Sequence, residues 1–356
     1  MAESRAELES CDFAVVGDRL FTDLTDLSSD PAVLDVPAAG TWVVVLAFDG
    51  PPLFARFTEA RPAPPDFARA PRRRPWRGLP PRSEGRSGPA PASWTSSLGR
   101  RDYTKRVGVI REAIAAGDVY QVNLCRRLSA TVPADADLVG LGRALAARHA
   151  SPFGALVCLR SAGVSVASAS PECFLRRRGR GVESRPIKGT AAPGHGFEAK
   201  DRAENVMIVD LVRNDLGRVC EPGSVRVPAL CHPERHPGLV HLVSTVTGRL
   251  RADVGWRGLL AATFPPGSVT GAPKAAALGV IAGLEPVPRS VYCGAVGWVD
   301  AASGDGDLNV AIRTFWLDDG ALHFGTGAAV TWDSTPEGEW EETELKARRL
   351  LAIAAG

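Results

Sequence analysis

No apolar run in this chain is long enough to cross a bilayer as a helix. Neither charge dominates: 42 Lys and Arg face 40 Asp and Glu, which leaves no electrostatic footprint for nucleic acid or an anionic membrane surface. The arginines are dispersed except at Arg72-Arg73-Arg74. The first residues are polar and mixed in charge, without the apolar core of a secretory signal, so the expected compartment is the cytoplasm. Seven cysteines, an odd number with no C-x-x-C pair, speak against a disulfide framework and for reduced, mostly buried thiols. Of six histidines only His232 and His236 lie four apart, and Pro233 and Pro237 deny the helix that would align them. A metal here is therefore expected to be a hard cation on carboxylates. No internal repeat is present.

What is present is a globular composition, 45% hydrophobic and 23% charged over 356 residues, with ample material for a core. Residues 1–70 hold short apolar runs, the clearest from Trp42 to Phe48, closed by Asp49-Gly50-Pro51-Pro52. They predict a small β-rich subdomain, too slight to carry a core alone. Residues 71–100, rich in Pro, Arg and Ser, predict a linker or surface loop. From residue 101 to 356 the pattern tightens into the main domain. Tyr103 to Ala116 is an amphipathic helix with Val107, Ile110 and Ile114 on one side, stopped at Gly117-Asp118. Val119 to Leu124 follows as a strand, Leu138 to Ala150 as a helix, and Gly154–Leu159 with Val164–Ser168 as a hairpin. The hairpin-rich order predicts an α+β fold, a mostly antiparallel sheet with helices outside it.

The segment that organises the rest is Ser184-Arg185-Pro186-Ile187-Lys188-Gly189-Thr190. Val182 to Arg185 alternates like a strand, Pro186 closes it for want of an N–H, and Gly189 frees the backbone to turn directly after the lysine. Lys188 is thereby either an exposed strand-end lysine or an amine on a fixed stem, which burial or a neighbouring cation such as Arg185 would activate as a nucleophile. Two acidic helix starts flank it in sequence. Asp201 and Glu204 share a face in the first turn of a helix predicted over Asp201 to Val219. Ser334-Thr335-Pro336-Glu337 matches a capping box with an early proline, and Glu339, Glu342 and Lys346 then follow along one face. Each set has an ordinary explanation in helix-end charge or an exposed ion pair. Together they offer carboxylates that could converge on Mg2+.

Other segments suit an anionic ligand. Gly267 to Lys274 precedes a helix predicted over Ala275 to Ala282, without the spacing of a nucleotide P-loop. Arg313 is one charge in what reads as an apolar strand, either a satisfied interior arginine or a carboxylate clamp. Gly325-Thr326-Gly327 reads as a glycine turn able to bring bare backbone against a ligand. His241, in Val240-His241-Leu242, is either a core histidine or a site residue.

From about Tyr103 onward these segments together resemble the chorismate-utilising enzymes. The matching stretches are Gly117 to Leu124, Ser170-Pro171-Glu172, Pro186 to Thr190, Ala203 to Arg218, His241 to Ser244, Thr270 to Lys274, Tyr292 to Ala295, Ala311 to Thr314, and Glu341-Glu342-Thr343 with Lys346-Ala347. The resemblance implies an α+β fold of two packed, largely antiparallel β-sheets flanked by helices, with residues 101–356 as the chorismate-binding catalytic domain. Within the family, Lys188 resembles the lysine of the enzymes that aminate chorismate at C4, where anthranilate synthases carry alanine. Gln121 stands where the water-using members carry a lysine base. The implied chemistry is therefore amination with ammonia, with anthranilate synthesis as the alternative reaction and a non-catalytic chorismate-binding subunit as the alternative class.

The resemblance implies further roles. Lys188 is the nucleophile at C2 and Glu172 the general acid. Glu204 and Glu342 hold Mg2+, with Asp201 and Glu339 supporting through water. Arg313, Tyr292, Thr270 and Gly271 hold the pyruvyl carboxylate, and Gly325, Gly327 and Lys346 frame the other side, with His241 nearby. It also implies a separate glutamine amidotransferase subunit as ammonia source, since these residues contain no glutaminase-like nucleophile elbow. Departures are Ala191-Ala192, Cys173, Thr326 and Ala328-Ala329. Leu8-Glu9-Ser10 resembles a piece of the family's tryptophan-binding motif.

Overall fold

The computed structural model describes residues 11–65, 67, 93–149, 151–191, 194, 196–197, 199–236 and 239–356. Leu8-Glu9-Ser10 and most of the expected 71–100 linker lie outside them. The N-terminal strands are β1 (Phe13–Val16), β2 (Arg19–Ser28), β3 (Thr41–Leu46) and β4 (Leu53–Pro62). After β5 (Thr95–Ser96) come helix α1 (Arg100–Ala115), β6 (Gln121–Thr131), α2 (Val139–Arg148), β7 (Phe153–Leu159), β8 (Val164–Ser170) and β9 (Cys173–Arg178). The central stretch holds β10 (Gly181–Arg185), β11 (Ile187–Ala191), α3 (Ala199–Gly217), β12 (Arg226–His236), β13 (Leu239–Arg249) and α4 (Trp256–Thr263). The chain finishes with β14 (Gly271–Ala272), α5 (Lys274–Leu284), β15 (Ala295–Asp300), β16 (Gly306–Val310), β17 (Thr314–Asp318), β18 (Ala321–Val330) and α6 (Pro336–Ala355).

Every strand pairing described is antiparallel. One half of the ladder runs β6–β18–β17–β8–β7–β1. It continues through β2 and β4 into the other half, β3–β15–β16–β9–β10–β13–β12. The halves pack face to face. Asn309 of β16 donates from Nδ2 to the Phe153 carbonyl of β7 (2.8 Å) and to Ser168 Oγ of β8 (3.3 Å). Val157 and Val166 from one half share a core with Val43, Val296 and Leu308 from the other. Each such fully buried aliphatic side chain contributes about 1.5–3 kcal/mol.

The N-terminal strands are built into this ladder, β1 against β7 and β3 along the whole of β15. Asp35 seals the join, its carboxylate accepting from the first N–H groups of α4 at Trp256 and, at 3.0 Å, Arg257. The helix predicted from Tyr103 exists with Tyr103, Val107 and Ile110 buried, because those positions share one face at helical spacing. His232 and His236 lie in β12, an extended strand, as their flanking prolines require. Among the described residues no helix is long and apolar enough to cross a membrane.

Candidate active site

Pro186 interrupts one long strand into β10 and β11, both lying along β13. It lacks an N–H, but its carbonyl still accepts from Ser244 at 3.1 Å, so pairing resumes at Ile187. Between Ile187, opposite Val243, and Thr190, opposite His241, β11 carries one residue more than its partner. The expected turn after Lys188 is therefore a bulge inside a strand, and bulges re-aim side chains. Gly189 supplies its left-handed φ of +81°, and a Cβ there would sit 2.9 Å from Asp201 Cβ. Arg185 is not the neighbouring cation expected from the sequence; it pairs with Glu234. The charges around the half-buried Lys188 are carboxylates, those of Glu172, Glu204 and Glu342.

Glu172 lies between β8 and β9 and is 3% exposed. Its backbone is fixed on both sides: its N–H donates to Ser170 Oγ at 3.2 Å and its carbonyl accepts from Val310 at 3.1 Å. Burial pushes its carboxyl up to about 7, outweighing hydrogen bonds from the Ser268 hydroxyl and the Ile187 N–H and the charges of Lys188 and Arg313. A carboxyl of that strength, beside an amine, can release a proton near neutrality.

The two acidic helix starts do converge. Lys200 and Asp201 stand in the first turn of α3 and Glu204 in its second; in α6 stand Glu339, Glu342 and Lys346. α6 is capped by Thr335, one residue later than the expected Ser334: its hydroxyl accepts from Gly338 N at 3.2 Å, with Pro336 in the first helical position. Glu204 is pushed up by burial despite Lys188 and Lys200, with Glu342 and Glu339 adding to the rise. Glu342 goes the other way: burial opposes ionisation, but Lys346, Lys188 and Lys200 together hold its carboxyl below the usual range. Lys346 Nζ lies 2.6 Å from Glu342 and donates to the Gly327 carbonyl at 3.0 Å.

No three His, Cys, Asp or Glu side chains among the described residues are gathered closely enough to coordinate one ion. The acids instead face ammonium groups. The donor set still suits a hard cation: all its atoms are carboxylate oxygens, and Glu339 Oε2 is buried with no hydrogen-bond partner among the described residues.

The remaining expected residues are placed as follows. Arg313 is not in a strand but in the crossover between β16 and β17, at a φ of +53°; burial lowers its pKa, partly offset by Glu172. Its Nη1 meets His149 Nε2 at 3.3 Å, and burial, with Arg313 and Arg349, lowers His149 to about 4. His149 is thus a neutral acceptor. Gly325-Thr326-Gly327 is not a turn; it lies inside β18. The bare face of Gly325 is filled by the buried Tyr292 ring, 2.0 Å from where a Cβ would be. Gly325→Ala should therefore displace Tyr292 and cost about 1–3 kcal/mol by overpacking; chemical denaturation against wild type would show it. The Thr270 hydroxyl donates to the Gly267 carbonyl at 3.2 Å, and its carbonyl accepts from Asn123 N at 2.8 Å. Gly271 lies tight against the Gln121 carbonyl, and His241 is buried in β13 opposite Thr190.

Sequence reasoning passed over Ser268, Lys200 and His149, and treated Gln121 only as a missing base. Gln121 is fully buried, and neither its amide nitrogen nor its amide oxygen has a hydrogen-bond partner among the described residues. A buried glutamine at a strand start is a recognisable signal only once its surroundings are known. A separate cavity of about 570 Å3 opens between the two halves, lined by Val15, Arg19, Phe153, Trp298, Asp307 and Asn309. It includes none of the Lys188 cluster.

Comparison with known proteins gives the relationship. The chain is 44% identical to an anthranilate synthase component 1 of Streptomyces coelicolor over 271 residues, 72% of this chain and 52% of that protein. It is 41% identical to an aminodeoxychorismate synthase component 1 of Klebsiella aerogenes over 272 residues, 73% of this chain and 59% of that protein. The matched region thus spans little more than half the length of these relatives. The structure of anthranilate synthase component I from Streptococcus pneumoniae superposes with a TM-score of 0.73 at 26% identity, covering 95% of this chain and 89% of that one. Its α+β architecture, a large antiparallel sheet with helices, is the fold described above. The family model for chorismate binding enzymes matches residues 58–352, and the chain belongs to that family.

Proposed function

We propose that this protein aminates chorismate at C4, as an aminodeoxychorismate synthase component I. The observation that carries the reading is that Lys188, on its bulge, lies within electrostatic reach of Glu172, whose carboxyl burial pushes up to about 7. A binding protein needs neither group; a two-step displacement needs both. In the first step the neutral Lys188 Nζ bonds to C2, the ring double bonds shift toward C4, and the C4–oxygen bond breaks as Glu172 protonates the departing hydroxyl to water. The proton shed by Nζ passes to the Glu172 carboxylate. In the second, ammonia bonds to C4, the double bonds shift back, and the bond from Nζ to C2 breaks as Glu172 protonates Nζ. The new amino group sheds its extra proton to the Glu172 carboxylate as 4-amino-4-deoxychorismate leaves. Gln121 has no basic group to activate water in competition.

When bound, Mg2+ would neutralise and orient the ring carboxylate, held by Glu204 and Glu342 with Asp201 and Glu339 in support. Arg313, Tyr292, Thr270 and Gly271 would take the pyruvyl carboxylate. Gly325, Gly327 and Lys346 would frame the opposite wall, and His241 would back the Lys188 strand. The name component 1 on both relatives supports an ammonia-supplying glutamine amidotransferase as partner, with free ammonium as a poorer source.

The 44% identity to an anthranilate synthase component 1 favours a second reading, amination at C2 with loss of pyruvate. A product assay separates them. With chorismate, Mg2+ and ammonium, the expected result is 4-amino-4-deoxychorismate and no pyruvate. Fluorescent anthranilate with stoichiometric pyruvate would reject the first reading in favour of the second.

A further inference from the structure

The two acidic helix starts are already bridged by a positive charge belonging to the protein. Lys200, in the first turn of α3, reaches across to α6: its Nζ lies 3.0 Å from Glu339 Oε1, 3.7 Å from Glu204 Oε1 and 3.5 Å from Ser334 Oγ. Exposure across the cluster is uneven. The Glu339 side chain is 3% exposed and that of Glu204 13%, whereas Lys200 keeps 32% of its surface in solvent. The two acids are fixed on helix turns, but a lysine stem is flexible and can swing outward. The second Glu339 oxygen, Oε2, is buried and has no hydrogen-bond partner among the described residues. The single ammonium therefore bridges the two acids without neutralising or satisfying both. Lys346, by contrast, pairs with Glu342 on its own helix and is anchored to the Gly327 carbonyl, so it does not join the helices.

We propose that Lys200 is a resident counter-ion that ties Glu339 to Glu204 until a divalent cation displaces it. Cation entry and release of the α3–α6 ion pair are then a single exchange. The inference rests on the Mg2+ reading above and adds to it the residue that sets the affinity. A cation within about 4 Å of a divalent ion opposes its binding strongly, even at the effective dielectric of a protein surface. Removing that charge should tighten binding, although it also removes a contact to Glu339.

The experiment is calorimetric titration of Mg2+ into the full chain, for wild type, Lys200→Gln and Lys200→Arg, with thermal unfolding of each in EDTA and in Mg2+. Lys200→Gln should bind Mg2+ at least about tenfold more tightly. Its Tm in EDTA should fall, because Glu339 is left uncompensated, and should recover in Mg2+. Lys200→Arg, which keeps the charge, should not gain affinity. In the wild type, without any substitution, Mg2+ should raise the labelling of Lys200 by an amine-reactive reagent several-fold, read by peptide mass mapping. Equal or weaker Mg2+ binding by folded Lys200→Gln, or Lys200 labelling unchanged by saturating Mg2+, would overturn the exchange while leaving the cation site standing. No Mg2+ binding by any form would remove the cation reading and the exchange with it.

Discussion

Replacing Lys188 with alanine is expected to lower kcat by about a thousandfold or more while leaving chorismate affinity within a few-fold. The reason lies in what surrounds the side chain. Lys188 projects from a bulge that Gly189 and Asp201 lock in place, and its charge acts on Glu172, Glu204 and Glu342. Alanine removes a charge as well as a nucleophile, so the discriminating variant is Lys188→Arg. The guanidinium keeps the positive charge beside these carboxylates, yet it cannot deprotonate to attack carbon. Both variants should be inactive, and the arginine form should unfold at a temperature close to wild type. Substantial turnover by Lys188→Arg would assign the residue an electrostatic role and end the covalent account.

Glu172→Gln should lower kcat by about 10^2- to 10^4-fold, the usual contribution of a positioned general acid. It should also stabilise the protein above neutrality, and the sign follows from the burial of the group. The folded-state carboxyl titrates at about 7 against an ordinary 4.5, so between those values the native protein binds the extra proton and the unfolded chain does not. Stability is consequently lost as pH rises through this window, and the deficit persists above it. At about 1.4 kcal/mol per pH unit the full window corresponds to about 3 kcal/mol. The glutamine variant escapes the penalty: it should be more stable than wild type at pH 8, and the advantage should vanish below about pH 4.5. Urea denaturation at the two pH values measures it. A variant less stable than wild type at pH 8 would mean that burial does not raise the Glu172 carboxyl.

Much of this site was legible because its residues sit in segments whose local chemistry is explicit. The acidic first turn of α3 and the Thr335-Pro336 start of α6 declare themselves through capping and charge, and both helices form within two residues of expectation. The Pro186 break and the Gly189 left-handed residue were visible; whether they produced a turn or a bulge was not. That outcome depends on pairing with β13, more than fifty residues away in sequence. The same limit explains Arg313 and the Gly325-Gly327 pair. An arginine at positive φ in a crossover looks like a strand residue when its neighbours are Val310, Ile312 and Phe315. Glycines inside β18 look like a turn until the Tyr292 ring is seen to fill the space. Lys200 was passed over for a related reason: its partner Glu339 stands 139 positions further along the chain.

The central claim is a bond between the Lys188 amine and the chorismate ring. The direct measurement is the mass of the enzyme after incubation with chorismate and Mg2+ in the rigorous absence of ammonia, followed by peptide mapping. The expected product is an adduct equal to chorismate less one water, confined to the peptide containing Lys188 and discharged when ammonium is added. An unmodified Lys188 peptide under those conditions, from enzyme that turns over normally once ammonium is supplied, would contradict it.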